Sequence, residues 1–311
     1  MNKLQSFELN SAFVGTIQHA IFENLAKESP KEYPKTTKEE LSSLLDASFK
    51  DLHLLYPKSA KRWDIVQARM QENLMITFDR LNPMEEDTSF IVTHQEHKFE
   101  YTWPTRHDIS IALRGIIDRI DMTSSAFRIV DYKSSAKRLK VDKVVGGLQL
   151  QLLTYLIITS KLFSNTPVGA FYLSMRNLDV QIPKYKFVKK EVFDFDSELS
   201  EAEIIKKHRL TGWFVVKKAD MFRSKDYVQG LISDQKVAKR YKYDISKVEE
   251  LFTEIYSYLV NELALGQIQR RPTESSCKYC DYASICWYKG KVYDPLVISD
   301  IDITLDKEVE A

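Results

Sequence analysis

Hydrophobic positions in the first eighty residues recur with the spacing of an α-helix. Four apolar residues lie four positions apart and share one helical face. They are Phe13, Ile17, Ile21 and Leu25. A second helix is predicted after Pro34, in TTKEELSSLLDASF, and a third over about 58–81, where Pro83 is expected to stop it. The pattern therefore predicts a helical amino-terminal region.

The hydrophobic pattern becomes strand-like after Asp87. SFIVTHQEHKFEYTWP and HDISIALRGIIDRID alternate or run apolar, and AFRIVDYKSS follows the polar turn MTSS. We expect three strands here, the last two of which form a hairpin.

Helical spacing returns in GGLQLQLLTYLIITSKLF, from Gly146, and PVGAFYLSM, from Pro167, is predicted to be a strand. A less regular, lysine-rich stretch covers about 201–247, a further helix ends at Gly266, and the acidic tail SDIDITLDKEVEA is expected to fray. The order of elements indicates an α/β core with helices before and after it.

Composition is that of an ordinary globular protein. The chain has 311 residues, 44% of them hydrophobic, and a formal net charge of +1. Any surface for nucleic acid must therefore be a local patch. The sequence contains no apolar run of the length that a membrane span needs, and its first residues lack a signal-peptide core, so we expect a cytoplasmic protein.

Two acids and a lysine end the predicted hairpin strands. Asp131 and Lys133 are two apart and should project from one face, while Val130 and Tyr132 project from the other. Asp118, on the neighbouring strand, would face them. Two close carboxylates repel unless a cation lies between them, and Mg²⁺ or Mn²⁺ suits such ligands. The same residues alone would also fit a surface hairpin with an Asp131–Lys133 salt bridge.

The wider pattern is more specific. Gly-Ile-Ile-Asp is followed by Asp-Tyr-Lys, thirteen residues after the first Asp, and then by a helix with Gln151 and Tyr155. This combination resembles the nuclease core of the PD-(D/E)xK superfamily in its RecB-like branch. The resemblance implies an α/β, restriction-endonuclease-like fold, in which helices flank a mixed central sheet. It also implies a metal-dependent hydrolase in which Lys133 assists the attacking water.

A histidine motif precedes this core. Residues 15–23 read Gly-Thr-Ile-Gln-His-Ala-Ile-Phe-Glu and resemble the branch's G-T-x-x-H-x-x-x-E segment. The resemblance implies that His19 binds the metal with Asp118 and Asp131. Glu23, one turn further on, is either a further ligand, a holder of a bound water or a solvated helix residue.

Gln151 and Tyr155 are four apart and share a helix face. They resemble the branch's Q-x-x-x-Y element, which implies that their polar tips reach the site or the DNA backbone. Gln149 is the alternative if the register differs.

The three cysteines of the chain lie within ten residues. Cys277, Cys280 and Cys286 form a C-x2-C-x5-C group, which by spacing alone fits zinc with an outside ligand. The group resembles that of the AddB/RexB subunits of bacterial ATP-dependent exonucleases, and the match runs through Gly212 and Trp213. The resemblance implies a [4Fe-4S] cluster, closed in those proteins by an upstream cysteine. This chain has no cysteine before Cys277, which leaves a labile cluster, a substitute ligand or an empty site.

Two basic segments are expected to meet DNA. KSSAKRLKVDK, residues 133–143, begins at the proposed catalytic lysine. KKHRLTGWFVVKKADMFRSK, from Lys206, adds Trp213, Phe214 and Phe222 as stacking platforms for a single strand. Both segments could instead be solvated charged loops. Contacts to phosphate and base faces would carry little sequence specificity.

These observations predict a Mg²⁺-dependent DNA exonuclease domain of an AddB/RexB-type helicase-nuclease, which repairs double-strand breaks by homologous recombination with an AddA/RexA-type partner. Without a G-x-x-x-x-G-K-[ST] loop, the chain itself should not bind ATP. We expect the chain to be the carboxy-terminal nuclease part of such a subunit, or a shortened version. The alternatives are a non-catalytic DNA-binding or scaffolding module and a stand-alone Cas4-like iron-sulfur nuclease. The predicted parts are a helical region (1–85), a nuclease core (86–200), a basic and helical extension (201–270) and a cysteine segment with the tail (271–311).

Overall fold

A computed structural model describes most of the chain between residues 11 and 303. The described residues are 11–28, 33, 35–55, 60–106, 109–133, 136–175, 205, 208–267, 269–270, 272–273, 276–290, 293 and 301–303. The basic segment predicted from Lys206 is described from residue 208 onward, and the acidic tail only at 301–303.

The amino-terminal part of the described chain is helical, as predicted. Its helices are α1 (Ser11–Glu28), α2 (Lys38–Leu55) and α3 (Ala60–Glu86). A reciprocal cap begins α2, because the Thr37 hydroxyl accepts from the Glu40 N–H at 3.2 Å and the Glu40 carboxylate accepts from the Thr37 N–H at 2.8 Å.

The predicted stop at Pro83 was wrong, since α3 continues through this proline to Glu86. Proline removes one backbone hydrogen bond from a helix interior. Leu81 and Met84 on either side are buried, and Asp87 N–H donates to the Pro83 carbonyl at 3.1 Å. Burial of the flanking apolar residues offsets the lost bond for one more turn.

The described strands form one five-stranded mixed sheet in the order β1-β2-β3-β4-β5. The strands β1, β2 and β3 pair antiparallel, β3 and β4 pair parallel, and β4 and β5 pair antiparallel. Their bounds are Ile91–Trp103, Ile111–Met122, Ala126–Lys133, Thr166–Ser174 and Thr211–Phe214. The predicted hairpin of β2 and β3 and the α/β core are confirmed, while β5 was missed.

A helical crossover joins the parallel strands β3 and β4. It consists of α4 (Val141–Val145) and α5 (Gln151–Leu162). The predicted later helix is α6 (Ile245–Ala264), whose Asp244 cap accepts from two backbone N–H groups. A short α7 (Ala283–Cys286) lies in the cysteine segment.

The two faces of the sheet bury different residues of β3. Val130 and Tyr132 share a core with α1, α2 and α3, whereas Phe127 and Ile129 pack with residues of α5. Because side chains alternate along a strand, Asp131 and Lys133 belong to the α5 face. The predicted division of this strand between two faces is confirmed.

A buried ionic cluster ties α3 to the sheet. Asp121 accepts hydrogen bonds from Arg119 at 2.6 and 2.7 Å and from Arg128 at 2.7 Å. Glu85, in the last turn of α3, accepts from both arginines at 2.8 and 3.0 Å. Two cations and two anions therefore balance one another inside the core.

Trp213, Phe214 and Phe222, predicted as stacking platforms for a single strand, are all buried. Trp213 stacks on Tyr243 with ring centroids 3.8 Å apart. Buried rings cannot receive DNA bases, so that prediction was wrong.

Ile303 of the acidic tail is also buried, and its carbonyl accepts from Asp244 N–H at 2.9 Å, so the described tail residues are not frayed. Among the described residues, no helix combines the length and apolar character that crossing a membrane requires.

Candidate active site

Three side chains with metal-binding atoms converge at one edge of the sheet. His19 Nδ1 lies 3.5 Å from Glu96 Oε1 and 3.8 Å from Asp118 Oδ2. The three donor atoms all lie within 4.8 Å of one another, and the described part of the chain holds no second group of this kind. The His19 ring also packs edge-on against Tyr132, with centroids 5.6 Å apart, which fixes α1 against the sheet.

Glu96 was not predicted from the sequence. The register of β1 and β2 on either side of it places Glu96 opposite Asp118. The flanking pairs are Gln95 with Arg119 and His97 with Ile117. Glu96 has a backbone φ of +44°, a left-handed conformation that residues with a Cβ rarely adopt. Such strain often accompanies functional positions, which supports a role for this residue.

Asp131, a predicted ligand, is completely buried on the strand next to Asp118 and is not a member of this trio. Its carboxylate pairs with the Lys133 ammonium, whose side chain is 24% exposed. Asp131 Oδ1 has no hydrogen-bond partner among the described residues. A buried carboxylate oxygen without a partner is costly, so this atom is suited to a bound cation.

The pKa values of Asp118 and Asp131 also favour a bound cation. Burial, and secondarily the charge of Asp131, raise the pKa of Asp118 to about 6, against the smaller opposing effects of His19 and Lys133. Burial also raises the pKa of Asp131, although Lys133 opposes the shift. The two acids therefore disfavour each other's charge, and a divalent cation would relieve the repulsion. Oxygen donors and an imidazole fit Mg²⁺ or Mn²⁺.

Tyr155 reaches the same site from α5. Gln151 Nε2 donates to the Tyr155 hydroxyl at 2.9 Å, and the buried Tyr155 ring contacts Phe99 edge-on at 5.6 Å. Burial raises the pKa of Tyr155, and the nearby charges of Asp118 and Asp131 add to the shift. Tyr155 therefore lies within electrostatic range of the two carboxylates, and Gln151 is its hydrogen-bond partner.

Gln149, the alternative to Gln151, makes different contacts. Its side chain accepts from Lys140 N–H at 2.9 Å and donates to the Arg138 carbonyl at 3.2 Å, so it bridges the loop before α4. Glu23 pairs with Lys27 on its own helix and lies outside the trio around His19. Neither residue joins the cluster of acids.

The cysteines lie on a separate segment with free thiols. Cys277 and Cys280 are exposed and Cys286 is half-buried. Arg270 Nη1 donates to the Cys286 carbonyl at 3.1 Å and lies 3.7 Å from its Sγ. Three thiols are one ligand short of a four-thiolate iron-sulfur or zinc site. No step of the chemistry can therefore be assigned to a cluster held by this chain alone.

A mixed sheet that places Asp118 beside an Asp-x-Lys strand end defines a class of nuclease fold. The sequence matches the PD-(D/E)XK nuclease superfamily over residues 2–287, and the chain belongs to that superfamily.

More specific relatives are components of helicase-nucleases. A protein from Thermoanaerobacter sp. (strain X514), named as the B subunit of an ATP-dependent helicase/deoxyribonuclease, is 30% identical over 270 residues, which cover 76% of this chain and 22% of the relative. The protein of that name from Lactococcus lactis subsp. cremoris (strain SK11) is 23% identical over 314 residues, covering 94% of this chain and 27% of the relative. The chain thus spans about a quarter of the length of these relatives.

Proposed function

We propose that this chain is a Mg²⁺- or Mn²⁺-dependent deoxyribonuclease domain that hydrolyses phosphodiester bonds. The observation that carries the proposal is the pair of Asp118, which is half-buried, and Asp131, which is buried. Oδ1 of Asp131 has no hydrogen-bond partner among the described residues, and Lys133 pairs with the other oxygen of the same carboxylate. This arrangement suits a site for a cation and an anionic substrate better than it suits a structural salt bridge.

In this proposal His19, Glu96, Asp118 and Asp131 hold the divalent cation. When bound, the cation supplies Lewis-acid stabilisation of the phosphate and a lowered pKa of bound water. The carboxylates orient the attacking water by accepting hydrogen bonds from it. Lys133 donates to the phosphate oxygens and offsets the negative charge that grows on them. In the in-line displacement the water oxygen bonds to phosphorus as the P–O bond on the opposite side breaks. A carboxylate takes up the proton of the water, and solvent protonates the leaving oxygen.

The Gln151–Tyr155 pair contributes orientation. Gln151 donates a hydrogen bond to the Tyr155 hydroxyl oxygen at 2.9 Å. The hydrogen of that hydroxyl can therefore be donated to another acceptor. A substrate phosphate oxygen beside the carboxylates would be such an acceptor. Tyr155 would thereby hold the DNA strand in position while its own hydroxyl stays protonated.

The relatives suggest the setting of this activity. Their name combines a helicase with a deoxyribonuclease. We infer that the domain acts as an exonuclease within a helicase-nuclease subunit of the AddB/RexB type, together with an AddA/RexA-type partner. Its substrate would be a single-stranded DNA end produced during double-strand break repair by homologous recombination.

The test is digestion of an end-labelled single-stranded DNA with Mg²⁺ and with EDTA. Asp131→Ala should lower the Mg²⁺-dependent rate by about 10³-fold, because the site loses one of the carboxylates that hold the cation. Asp79→Ala, which removes an exposed carboxylate on α3, should leave the rate unchanged. An undiminished rate for Asp131→Ala, in a preparation free of other nucleases, would refute this site.

An iron-sulfur cluster can be tested separately. If a fourth ligand completes the group of Cys277, Cys280 and Cys286, protein purified without oxygen should be coloured and contain iron. Colourless, iron-free protein from that preparation would exclude a cluster in this chain.

A further inference from the structure

Two lysines lie over one buried ring beside the carboxylates. Lys133 Nζ is 5.8 Å and Lys137 Nζ is 5.1 Å from the centroid of the Tyr172 ring. Tyr172 is the β4 partner of Asp131 in the parallel β3–β4 pair. The Tyr172 ring therefore holds two ammonium groups at the edge of the active site, since the face of an aromatic ring attracts cations.

Hydrogen bonds from Thr211 and Gln149 hold the backbone around Lys137. The Thr211 hydroxyl, at the start of β5, donates to the Lys137 carbonyl at 2.7 Å. The Gln149 side chain bridges the next residues, by donating to the Arg138 carbonyl and accepting from the Lys140 N–H. Such contacts hold the backbone of residues 137–140, so the fold sets the point from which the Lys137 side chain extends.

The charges of the two lysines are balanced differently. Lys133 pairs with Asp131, whereas Lys137 has no carboxylate within ion-pair distance in the described part of the chain. Burial, and secondarily the charge of Lys133, lower the pKa of Lys137. Like charges crowded around one ring repel, and a bound anion would remove the repulsion. Asp131 offsets part of this positive charge, and a bound anion would offset the rest.

We propose that Lys137 binds the non-bridging oxygens of the DNA backbone phosphate next to the one held at Lys133, with Tyr172 positioning both ammonium groups. The proposal rests on the proposed nuclease function and adds a second phosphate subsite to that site. Of the basic residues in segment 133–143, it assigns the contact to Lys137. Arg138 and Lys140 are exposed on the same loop and are not placed over Tyr172.

The first test measures binding without cleavage, so that it does not depend on nuclease activity. A fluorescent single-stranded oligonucleotide is titrated with the full chain in EDTA at several salt concentrations. Lys137→Ala should weaken binding about tenfold, as expected for one lost charged hydrogen bond. The slope of log K against log salt should fall in magnitude by about 0.7, the value for one single-strand phosphate contact.

Lys236→Ala is the matched control, because it removes the same charge from an exposed position. Its neighbour Val237 packs with α1, α2 and α3, whereas Tyr172 packs with α5 on the other face. Binding and salt slope should be unchanged in this variant. An unchanged affinity for Lys137→Ala, or an equal loss for Lys140→Ala, would overturn the assignment to Lys137.

A second test addresses Tyr172 as a positioning residue. Tyr172→Phe keeps the ring and should keep both affinity and salt slope, whereas Tyr172→Leu should lose at least as much affinity as Lys137→Ala, because both ammonium groups lose their positioning ring. Thermal unfolding of both variants checks that they are folded. If Tyr172→Leu is unfolded, the comparison of Lys137→Ala with Lys140→Ala still decides whether Lys137 makes the phosphate contact. If wild-type protein binds as expected but cleaves no DNA, the nuclease function fails while the phosphate subsite stands.

Discussion

The backbone N–H of Tyr132 donates a hydrogen bond to Asp118 Oδ2 at 2.9 Å. The backbone pairing of β2 and β3 runs from Met122–Phe127 to Arg119–Val130, so Tyr132 lies beyond the last pair. The Asp118 side chain therefore replaces the missing strand partner for this N–H. A backbone group that would otherwise be unpaired orients the carboxylate, and the two acids meet where the strands separate.

The raised pKa of Asp118 predicts how stability depends on pH. The acid has a folded-state pKa of about 6 against an ordinary value of 3.8, so folding favours the protonated form. The stability from this group is fully present below pH 3.8 and is lost as pH rises through about 6. Asp118→Asn removes the titration and keeps an acceptor for Tyr132 N–H. At pH 7.5 in EDTA it should be more stable than wild type by about 2 kcal/mol.

Urea unfolding between pH 5 and pH 8 measures this difference. The gap between the two proteins should shrink towards pH 5, and Mg²⁺ should stabilise wild type much more than the variant. A variant that is less stable than wild type at pH 8 in EDTA would mean that the Asp118 charge is well compensated by the protein itself.

Glu96 should contribute to cation affinity. Glu96→Gln removes one charged ligand from the trio with His19 and Asp118, and we expect Mn²⁺ to bind at least about tenfold more weakly. Calorimetric titration of the full chain with Mn²⁺ measures the change. Glu100→Gln is the control, because Glu100 lies on the same strand but forms an exposed pair with Arg114. Equal Mn²⁺ affinity in Glu96→Gln and wild type would remove Glu96 from the site.

Asp121 should be critical for stability and should not contact the substrate, because it is completely buried. Asp121→Asn leaves Arg119 and Arg128 buried with only Glu85 to balance them, and should cost about 3–5 kcal/mol. Urea unfolding measures the loss. Asp220→Asn, which breaks an exposed pair with Lys218, should cost less than about 1 kcal/mol. Similar losses for the two variants would show that the buried cluster is not coupled to folding.

Two glycines should respond to alanine in opposite directions. A Cβ at Gly212 would lie 2.0 Å from the Ala170 carbonyl oxygen, so β4 and β5 must move apart. Gly212→Ala should therefore destabilise the protein by about 1–3 kcal/mol or more. A Cβ at Gly15 would meet no atom within 4 Å, and this residue lies inside α1. Gly15→Ala should stabilise the helix by up to about 1 kcal/mol. Thermal unfolding of both variants tests the contrast, and a stabilised Gly212→Ala would contradict the close approach of the strands.

Much of the fold followed from local pattern. The hairpin of β2 and β3 and the placement of Asp131 and Lys133 on one face depend only on strand alternation and a short turn, which are visible in the sequence. The positions of His19 and Tyr155 came instead from the resemblance to a nuclease branch, because no local rule says which helix packs at which edge of a sheet.

What the sequence could not supply was pairing over long distances. Glu96 sits in a polar run, HQEHK, and gains meaning only from the β1–β2 register that puts it opposite Asp118. The interruption of the apolar alternation in β1 was the available signal. Trp213 looked like an exposed platform in a lysine-rich stretch, whereas its burial depends on Tyr243, thirty residues away.

Asp118 and Arg119 are consecutive, yet Asp118 belongs to the proposed cation site and Arg119 to the buried ionic cluster with Asp121, Arg128 and Glu85. A slip of β2 by one residue would exchange the faces of all its side chains. It would push a carboxylate out of the site and an arginine into it, and would break the cluster at the same time. The ionic cluster therefore disfavours a shifted register of β2, because a misaligned strand would lose its buried ion pairs together with the arrangement of acids at the proposed cation site.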